Sequence, residues 1–303
     1  MEQVRVTLEN RIELDVVDTG PRDGPALIFL HGFPESHRTW RRQIAHFSDR
    51  YRCIAPDQRG YHGSSKPEGV ENYTPDKLIG DVFLLADALA VERFTIVGHD
   101  WGGALAWGVA MRGQQNRVER AILCNAAHPL IYSKLLWTDA QQRAAGQYMR
   151  VYRDTSRDDE IRERGLLALL EGTENATGAL PDDDSEERAA IFEDWSDGKA
   201  AIGMLNWYRA TPMAVPPADA PLEIPANAKL PKVPKLTIPT LVVWAMDDHA
   251  LSPGNIERLE DHVEDLTLVR IEDCGHFLLW QEPEQVNAAM ESFLATHLQP
   301  RSP

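Results

Sequence analysis

The chain has 303 residues, 43% of them hydrophobic and 26% charged, a balance that suits a globular protein with a sizeable core and excludes a disordered chain. Aspartate and glutamate number 47 against 31 lysines and arginines, a formal net charge of −16 at pH 7. A field of that sign repels phosphate backbones and anionic headgroups, so neither nucleic acid nor a membrane surface is an expected partner.

Reading from the start, Met1-Glu2-Gln3-Val4 lacks the basic head and apolar stretch of a signal peptide. No apolar run reaches bilayer-spanning length. The expected location is therefore the cytoplasm. Val4–Leu8 and Ile12–Asp18 alternate apolar and polar residues, which predicts an antiparallel hairpin turning at Glu9-Asn10-Arg11. Ala26–Leu30, Arg52–Ala55, Phe94–Gly98 and Arg120–Leu123 are short continuous apolar runs, the pattern of parallel strands covered on both faces. Cys53 and Cys124 fall in such runs and read as buried small hydrophobes; with Cys274 they are too scattered for a disulfide framework. Thr74–Leu89 has helical spacing, opens with Thr-Pro as N-cap and first turn, and places Leu78, Val82, Leu85 and Leu89 on one face.

After Asn125 the rhythm changes. Between His128 and Leu236 no strand pattern occurs; helical stretches cover Asp139–Tyr152, Glu160–Glu171 and Glu186–Tyr208, with an acidic loop around Pro181–Ser185 and a proline-rich tract from Pro212 to Pro234. The strand–helix alternation resumes with Thr240–Trp244, a helix near Asn255–Leu259, Thr267–Ile271 and a last helix from Pro283 to His297. An α/β fold is expected, with a mostly parallel sheet flanked by helices and interrupted by a helical cap. The expected divisions are 1–127 for the first part of the core, 128–236 for the cap and 237–303 for the rest of the core.

The most specific signal is Gly98-His99-Asp100-Trp101-Gly102-Gly103, set between a strand and a helix. It matches the Gly-x-nucleophile-x-Gly elbow, with aspartate at the projecting position. A carboxylate is ionised at pH 7 and needs no base for its own attack on a saturated carbon. The product is an alkyl ester, which water must then hydrolyse through a tetrahedral oxyanion; the base and the oxyanion donors serve that second step. An elbow fold carries its acid and histidine later in the chain. Asp273-Cys274-Gly275-His276 follows the last strand and offers His276 as base. Asp247-Asp248-His249 follows the strand before it and offers two carboxylates, with His249 the weaker histidine. Main-chain donors are expected from His31-Gly32-Phe33-Pro34-Glu35; Asp57 and Arg59 are expected to serve a salt-bridge and turn network without chemistry.

Together these motifs resemble the α/β-hydrolase superfamily, and most closely its cap-bearing epoxide hydrolases, along nearly the whole chain: His-Gly-Phe-Pro-Glu at 31–35, Asp-x-Arg-Gly-Tyr at 57–61, the elbow at 98–103 and Asp-Cys-Gly-His at 273–276. The resemblance implies the α/β-hydrolase fold, Asp100 as nucleophile, His276 as base and Asp248 as its acid. It also implies the backbone N–H groups of Phe33 and Trp101 as oxyanion donors, and Glu35 as a carboxylate that positions water. Two cap tyrosines are implied over the nucleophile. Leu205-Asn206-Trp207-Tyr208-Arg209 matches the segment of the second, Tyr208. Tyr148 takes the place of the first, with Tyr152 one turn on as its alternative, because Arg153 stands where the family usually has glutamine.

Leaving-group chemistry then points to the reaction. An epoxide leaves as a basic alkoxide, which a phenol of pKa about 10 can protonate; a halide needs only N–H donors, of which Trp101 is one. The resemblance implies a small apolar epoxide and water as reactants, with neither metal nor cofactor. A haloalkane or haloacid dehalogenase using the same three residues is the alternative, and a non-catalytic binding protein is a third reading. Fluoroacetate dehalogenases carry arginines where Trp101 and Ala104 stand here, which disfavours an anionic substrate.

Overall fold

A computed structural model describes residues 3–170 and 185–297. Its strands are β1 (Gln3–Thr7), β2 (Glu13–Thr19), β3 (Ala26–Leu30), β4 (Arg52–Pro56), β5 (Phe94–His99), β6 (Val118–Cys124), β7 (Thr240–Ala245) and β8 (Leu266–Ile271). They form one sheet in the order β1-β2-β4-β3-β5-β6-β7-β8. The leading hairpin is antiparallel and β2 joins β4 antiparallel; every later pairing is parallel.

The helices are α1 (Arg41–Phe47), α2 (Pro75–Ala88), α3 (Asp100–Gly113), α4 (Pro129–Thr138), α5 (Ala140–Ala145), α6 (Tyr148–Arg153), α7 (Asp158–Arg164), α8 (Leu167–Leu170), α9 (Ser185–Ser196), α10 (Gly198–Ala210), α11 (Leu278–Gln281) and α12 (Pro283–Thr296). The central strands are buried on both faces because successive side chains point to opposite sides. In β3, Leu27 and Phe29 pack with Ile44 and Phe47 of α1 and Met290 and Phe293 of α12. Ile28 and Leu30 belong to the other core, with Leu78, Val82 and Leu85 of α2 and Leu105 and Val109 of α3. The three cysteines are unpaired and buried.

Between β6 and β7 the described residues up to Ala210 are mainly helical, as the pattern predicts, but in shorter pieces, and 211–239, with the proline-rich tract, carry no helix. The 139–152 stretch breaks at Gly146-Gln147 into α5 and α6. The 186–208 stretch breaks at Asp197, whose carboxylate accepts the N–H groups of Lys199 and Ala200 at 2.8 and 3.2 Å and starts α10 afresh. The 160–171 stretch breaks into α7 and α8 at Gly165, where φ is +68° and a Cβ would lie 2.0 Å from the Trp195 carbonyl oxygen. Residues 171–184, with most of the expected acidic loop, lie outside the described residues. Helices α1, α4 and α11 lie where the sequence predicted none, and the helix expected near 255–259 is a pair of 3₁₀ turns, Pro253–Ile256 and Leu259–Asp261. Thr74 does precede α2, with Pro75 at its first turn, but its hydroxyl caps no N–H group.

Several contacts among the described residues fasten the helical segment to the loops beyond β3 and β4. Trp195 donates its indole N–H to Pro34 O at 2.6 Å, and Trp207 donates to Arg59 O at 2.9 Å. Arg38 pairs with Glu187 at 2.9 Å, and His62 with Asp194. Asp57 and Arg59 do not pair with each other. Asp57 accepts from His37, and Arg59 grips Asp81 through two hydrogen bonds, a network of the structural kind expected.

Candidate active site

The elbow forms where β5 meets α3. Asp100 is the first residue of α3 and has φ +50°, a left-handed conformation unusual for aspartate outside a sharp turn. Such a turn requires the helix to start almost against β3: a Cβ on Gly102 would sit 2.2 Å from Leu30 O and 2.4 Å from His31 O. The carboxylate is thereby carried to the C-terminal edge of the sheet, where open α/β sheets bind their ligands.

Asp100, Asp248 and His276, predicted from three strand ends, come together there. His276 Nε2 lies 3.4 Å from Asp100 Oδ2, and Nδ1 lies 2.7 Å from Asp248 Oδ2. Burial alone would lower the imidazole's pKa, but the charges of Asp248 and Asp100 and its hydrogen bonds to both raise it well above the ordinary histidine value. Burial would likewise raise Asp100; the hydrogen bond and charge of His276, the charge of His99 and the Phe33 N–H hold it below the ordinary carboxylate value. Each ring nitrogen of His276 thus faces a carboxylate, an arrangement that favours the protonated ring.

Of the adjacent carboxylates, Asp247 is exposed and Asp248 is buried. Asp248 Oδ1 accepts the N–H groups of Ala250 and Leu251 at 2.7 and 2.9 Å. Its Oδ2, besides facing His276, accepts from Asn125 Nδ2 at 2.6 Å. Asn125 ends β6 with φ +36° and accepts the Ala245 N–H at 2.7 Å, so one amide sets both the strand end and the acid. The sequence analysis passed over Asn125; a small polar residue at the end of a central strand was the available signal.

Phe33 N–H donates to Asp100 Oδ1 at 2.7 Å. Trp101 is the second residue of α3, among the N–H groups that find no carbonyl four residues back within the helix. Glu35 is 4% exposed and both its oxygens are engaged: Oε1 accepts from Thr39 and Trp280 at 2.7 and 2.9 Å, and Oε2 lies 2.9 Å from His99 Nδ1. His99 Nε2 in turn lies 2.8 Å from the carbonyl oxygen of His276. His99 and Trp280 were not singled out in the sequence; they became visible only as the two ends of this buried chain.

Aromatic rings close the site from above. Tyr208, on α10 and 2% exposed, packs edge-on against Trp101 and Phe33 with centroids 4.9 and 5.1 Å away. Tyr148 and Tyr152, one turn apart on α6, lie 6.0 and 5.1 Å from Tyr208. Tyr152 also meets Phe33 at 5.2 Å. Burial pushes Tyr148 and Tyr208 well above the ordinary phenol value, and Tyr152 to about 12, with the Asp100 charge adding to each. All three hydroxyls are without a protein partner among the described residues. Arg153 explains itself: it donates to Tyr208 O, Met213 O and Thr211 O at 2.9, 2.8 and 3.2 Å, tying α6 to the end of α10. His249 is exposed and makes no hydrogen bond, ion pair or ring contact through its side chain among the described residues.

Residues 25–283 match the family model described as alpha/beta hydrolase fold. The chain is 32% identical to Epoxide hydrolase 1 of Caenorhabditis elegans, over 94% of this chain and 68% of that one. It is also 32% identical to the AB hydrolase superfamily protein YfhM of Bacillus subtilis, over 94% and 95%. A solved structure described as novel epoxide hydrolases belonging to the alpha/beta hydrolases superfamily, from metagenomes of hot environments, is 59% identical. It covers 97% of this chain and 98% of its own, with a TM-score of 0.94. An inhibitor complex of a Bacillus megaterium epoxide hydrolase is 29% identical, covers 97% and 100%, and has a TM-score of 0.81.

Proposed function

The chain belongs to the α/β-hydrolase family and is an epoxide hydrolase, and we propose that it forms a vicinal diol through a covalent alkyl ester on Asp100. The observation that carries this mechanism is a carboxylate at the elbow, hydrogen-bonded by the Phe33 N–H, under a cluster of phenols whose hydroxyls have no protein partner among the described residues.

In the first step Asp100 attacks an oxirane carbon and the carbon–oxygen bond breaks. Tyr148 and Tyr208 donate hydrogen bonds to the departing oxygen, and one of them gives its proton to the alkoxide. Their raised pKa keeps them protonated until a base that strong appears. In the second step water attacks the ester carbonyl. The N–H groups of Phe33 and Trp101 hold the oxyanion. Esterification removes the charge of Asp100, one of the two charges that raise His276, so the protonated ring gives its proton to the tyrosinate left by the first step, and the neutral imidazole then takes the water's proton while Asp248 steadies the cation. The tetrahedral adduct collapses, the carbon–oxygen bond to the diol breaks, the leaving oxygen takes the proton from His276, and the new carboxyl proton of Asp100 returns to the ring. Glu35 is already bound to three neighbours, so its part in placing water runs through His99. No step calls for a metal or a cofactor.

The cage of Phe33, Trp101 and Tyr152 suits a small apolar epoxide. The reading includes a cap over 128–236 on a core of 1–127 and 237–303. It also includes a cytoplasmic location, which three unpaired cysteines suit; no helix among the described residues is long and apolar enough to cross a membrane. Halide displacement is not favoured, since the relatives above whose names state an activity are epoxide hydrolases. A single turnover in ¹⁸O-water tests the ester: the first diol should carry no label, Asp100 should gain one labelled oxygen in that same turnover, and later diols should carry label. Label in the first-turnover diol would falsify covalent attack.

A further inference from the structure

A cleft of about 380 Å³ opens at the seam between the 66–73 loop of the core and helices α7 and α10, within the usual range for small-molecule sites. It is distinct from the site of Asp100. On α10, Ile202, Gly203, Asn206 and Arg209 line it, and their spacing makes one helical stripe. Tyr208 is two residues from Asn206, so its side chain leaves the helix on roughly the opposite side.

The cleft is cationic in a strongly acidic protein. Four basic side chains line it against two acidic ones, Glu68 and Asp158. Two of the cations are already committed: Arg209 holds Asp158 at 2.6 Å, and Lys66 lies 3.7 Å from Asp197. Arg162 and Lys199 are exposed and have neither an ion pair nor a side-chain hydrogen bond among the described residues. At the floor Asn206 is 4% exposed; its Oδ1 accepts from Arg209 at 3.4 Å, while Nδ2 donates to no described residue. The two unpaired cations, brought together where the Arg162 backbone packs against Gly198 at the start of α10, ask for a negatively charged acceptor, and the unused Asn206 donor lies further along the same stripe. Val70, Tyr73 and Ile202 add an apolar wall.

We propose that this cleft binds an organic monocarboxylate with a short apolar body. Its head is held by Arg162 and Lys199, and its body lies on Val70 and Ile202, running along α10 toward the Asn206 amide. A guanidinium matches a carboxylate in plane and can bind it through two hydrogen bonds. Because the walls come from both the core loop and the helical segment, an occupant braces α10, the helix that carries Tyr208.

Octanoate serves as probe, with octan-1-ol and sodium chloride as controls, on the ¹⁵N-labelled full chain. Octanoate should shift the Asn206 side-chain amide and the Arg162 Nε–H saturably, and octan-1-ol and chloride should not. The R162A/K199A variant, its fold checked by circular dichroism, should raise the octanoate Kd at least about tenfold. The proposal is overturned if those signals do not saturate, if the shifts gather at Trp101 and Tyr208 instead, or if the double variant binds as tightly as the wild type. None of these outcomes bears on the ester at Asp100, which the isotope experiment tests separately.

Discussion

Asn125 and Asp248 are joined side chain to side chain by a 2.6 Å hydrogen bond that crosses from the end of β6 to the loop after β7. The Asn125 side chain hydrogen-bonds Asp248 and Ala245 and neither Asp100 nor His276 among the described residues, so its action on the reaction is one of positioning. Replacing it with alanine leaves Asp248 short of a donor and the Ala245 N–H without its acceptor. Asn125→Ala should lose about 1–3 kcal/mol of stability in urea unfolding. Ester hydrolysis should slow more than alkylation, because Asp248 acts through His276. Equal slowing of both steps would mean that the asparagine serves the fold alone.

The pH behaviour of the two steps should differ. Asp100 is held below the ordinary carboxylate range, so alkylation measured by rapid quench should stay flat between about pH 5 and 8. Hydrolysis needs neutral His276, whose pKa falls once the ester forms, and should slow as pH drops through that lowered value. His276→Gln should alkylate normally and accumulate an adduct of substrate mass on Asp100, visible by intact-protein mass spectrometry. Normal turnover in that variant would remove the histidine from the mechanism.

The phenols should act in parallel. Tyr148→Phe and Tyr208→Phe should each slow alkylation by an amount on the order of 2.7–4 kcal/mol in the barrier, the cost of one preorganised donor. The double variant should lose nearly all epoxide opening while keeping its circular dichroism spectrum. Tyr152→Phe is the discriminating control: a loss there as large as in Tyr148→Phe would move the donor one turn along α6.

His62 and Asp194 form an ion pair between the loop after β4 and α9. The hydrogen bond to Asp194 raises the histidine's pKa, burial opposes it, and the Asp57 charge adds to the rise. A raised pKa means that the pair stabilises the fold fully below the unfolded histidine value and loses that contribution as pH climbs through the folded one. The melting-temperature gap between wild type and Asp194→Asn should therefore be widest below about pH 6 and close at higher pH. A gap independent of pH would show that the pair works as a neutral hydrogen bond.

Much of this was legible from the chain. The parallel strands announced themselves as short continuous apolar runs, and Asp100, Asp248 and His276, which the fold brings together, as motifs placed at strand ends, because both signals are local. What escaped was set by distance. Asn125 and His99 matter through partners 123 and 177 residues away, which no window of sequence displays. Asp139–Tyr152 and Glu186–Tyr208 read as single helices because their apolar spacing runs across the breaks. Only the Gly146 turn and the Asp197 carboxylate decide otherwise, and each is a single residue against a whole periodic stretch.

The pairing of β6 with β7 places Cys124 opposite Val243, and Asn125 N–H on the Val243 carbonyl at 3.0 Å. The chain thus leaves the sheet and re-enters it at adjacent doorposts, although more than a hundred residues lie between. The ladder itself closes this excursion, so the sheet does not depend on how long the excursion is or what it contains. Loop-closure entropy grows only slowly with such length. The helices that carry the phenols can therefore be exchanged as a cassette, altering which molecules are admitted while Asp100, Asp248 and His276 keep their places.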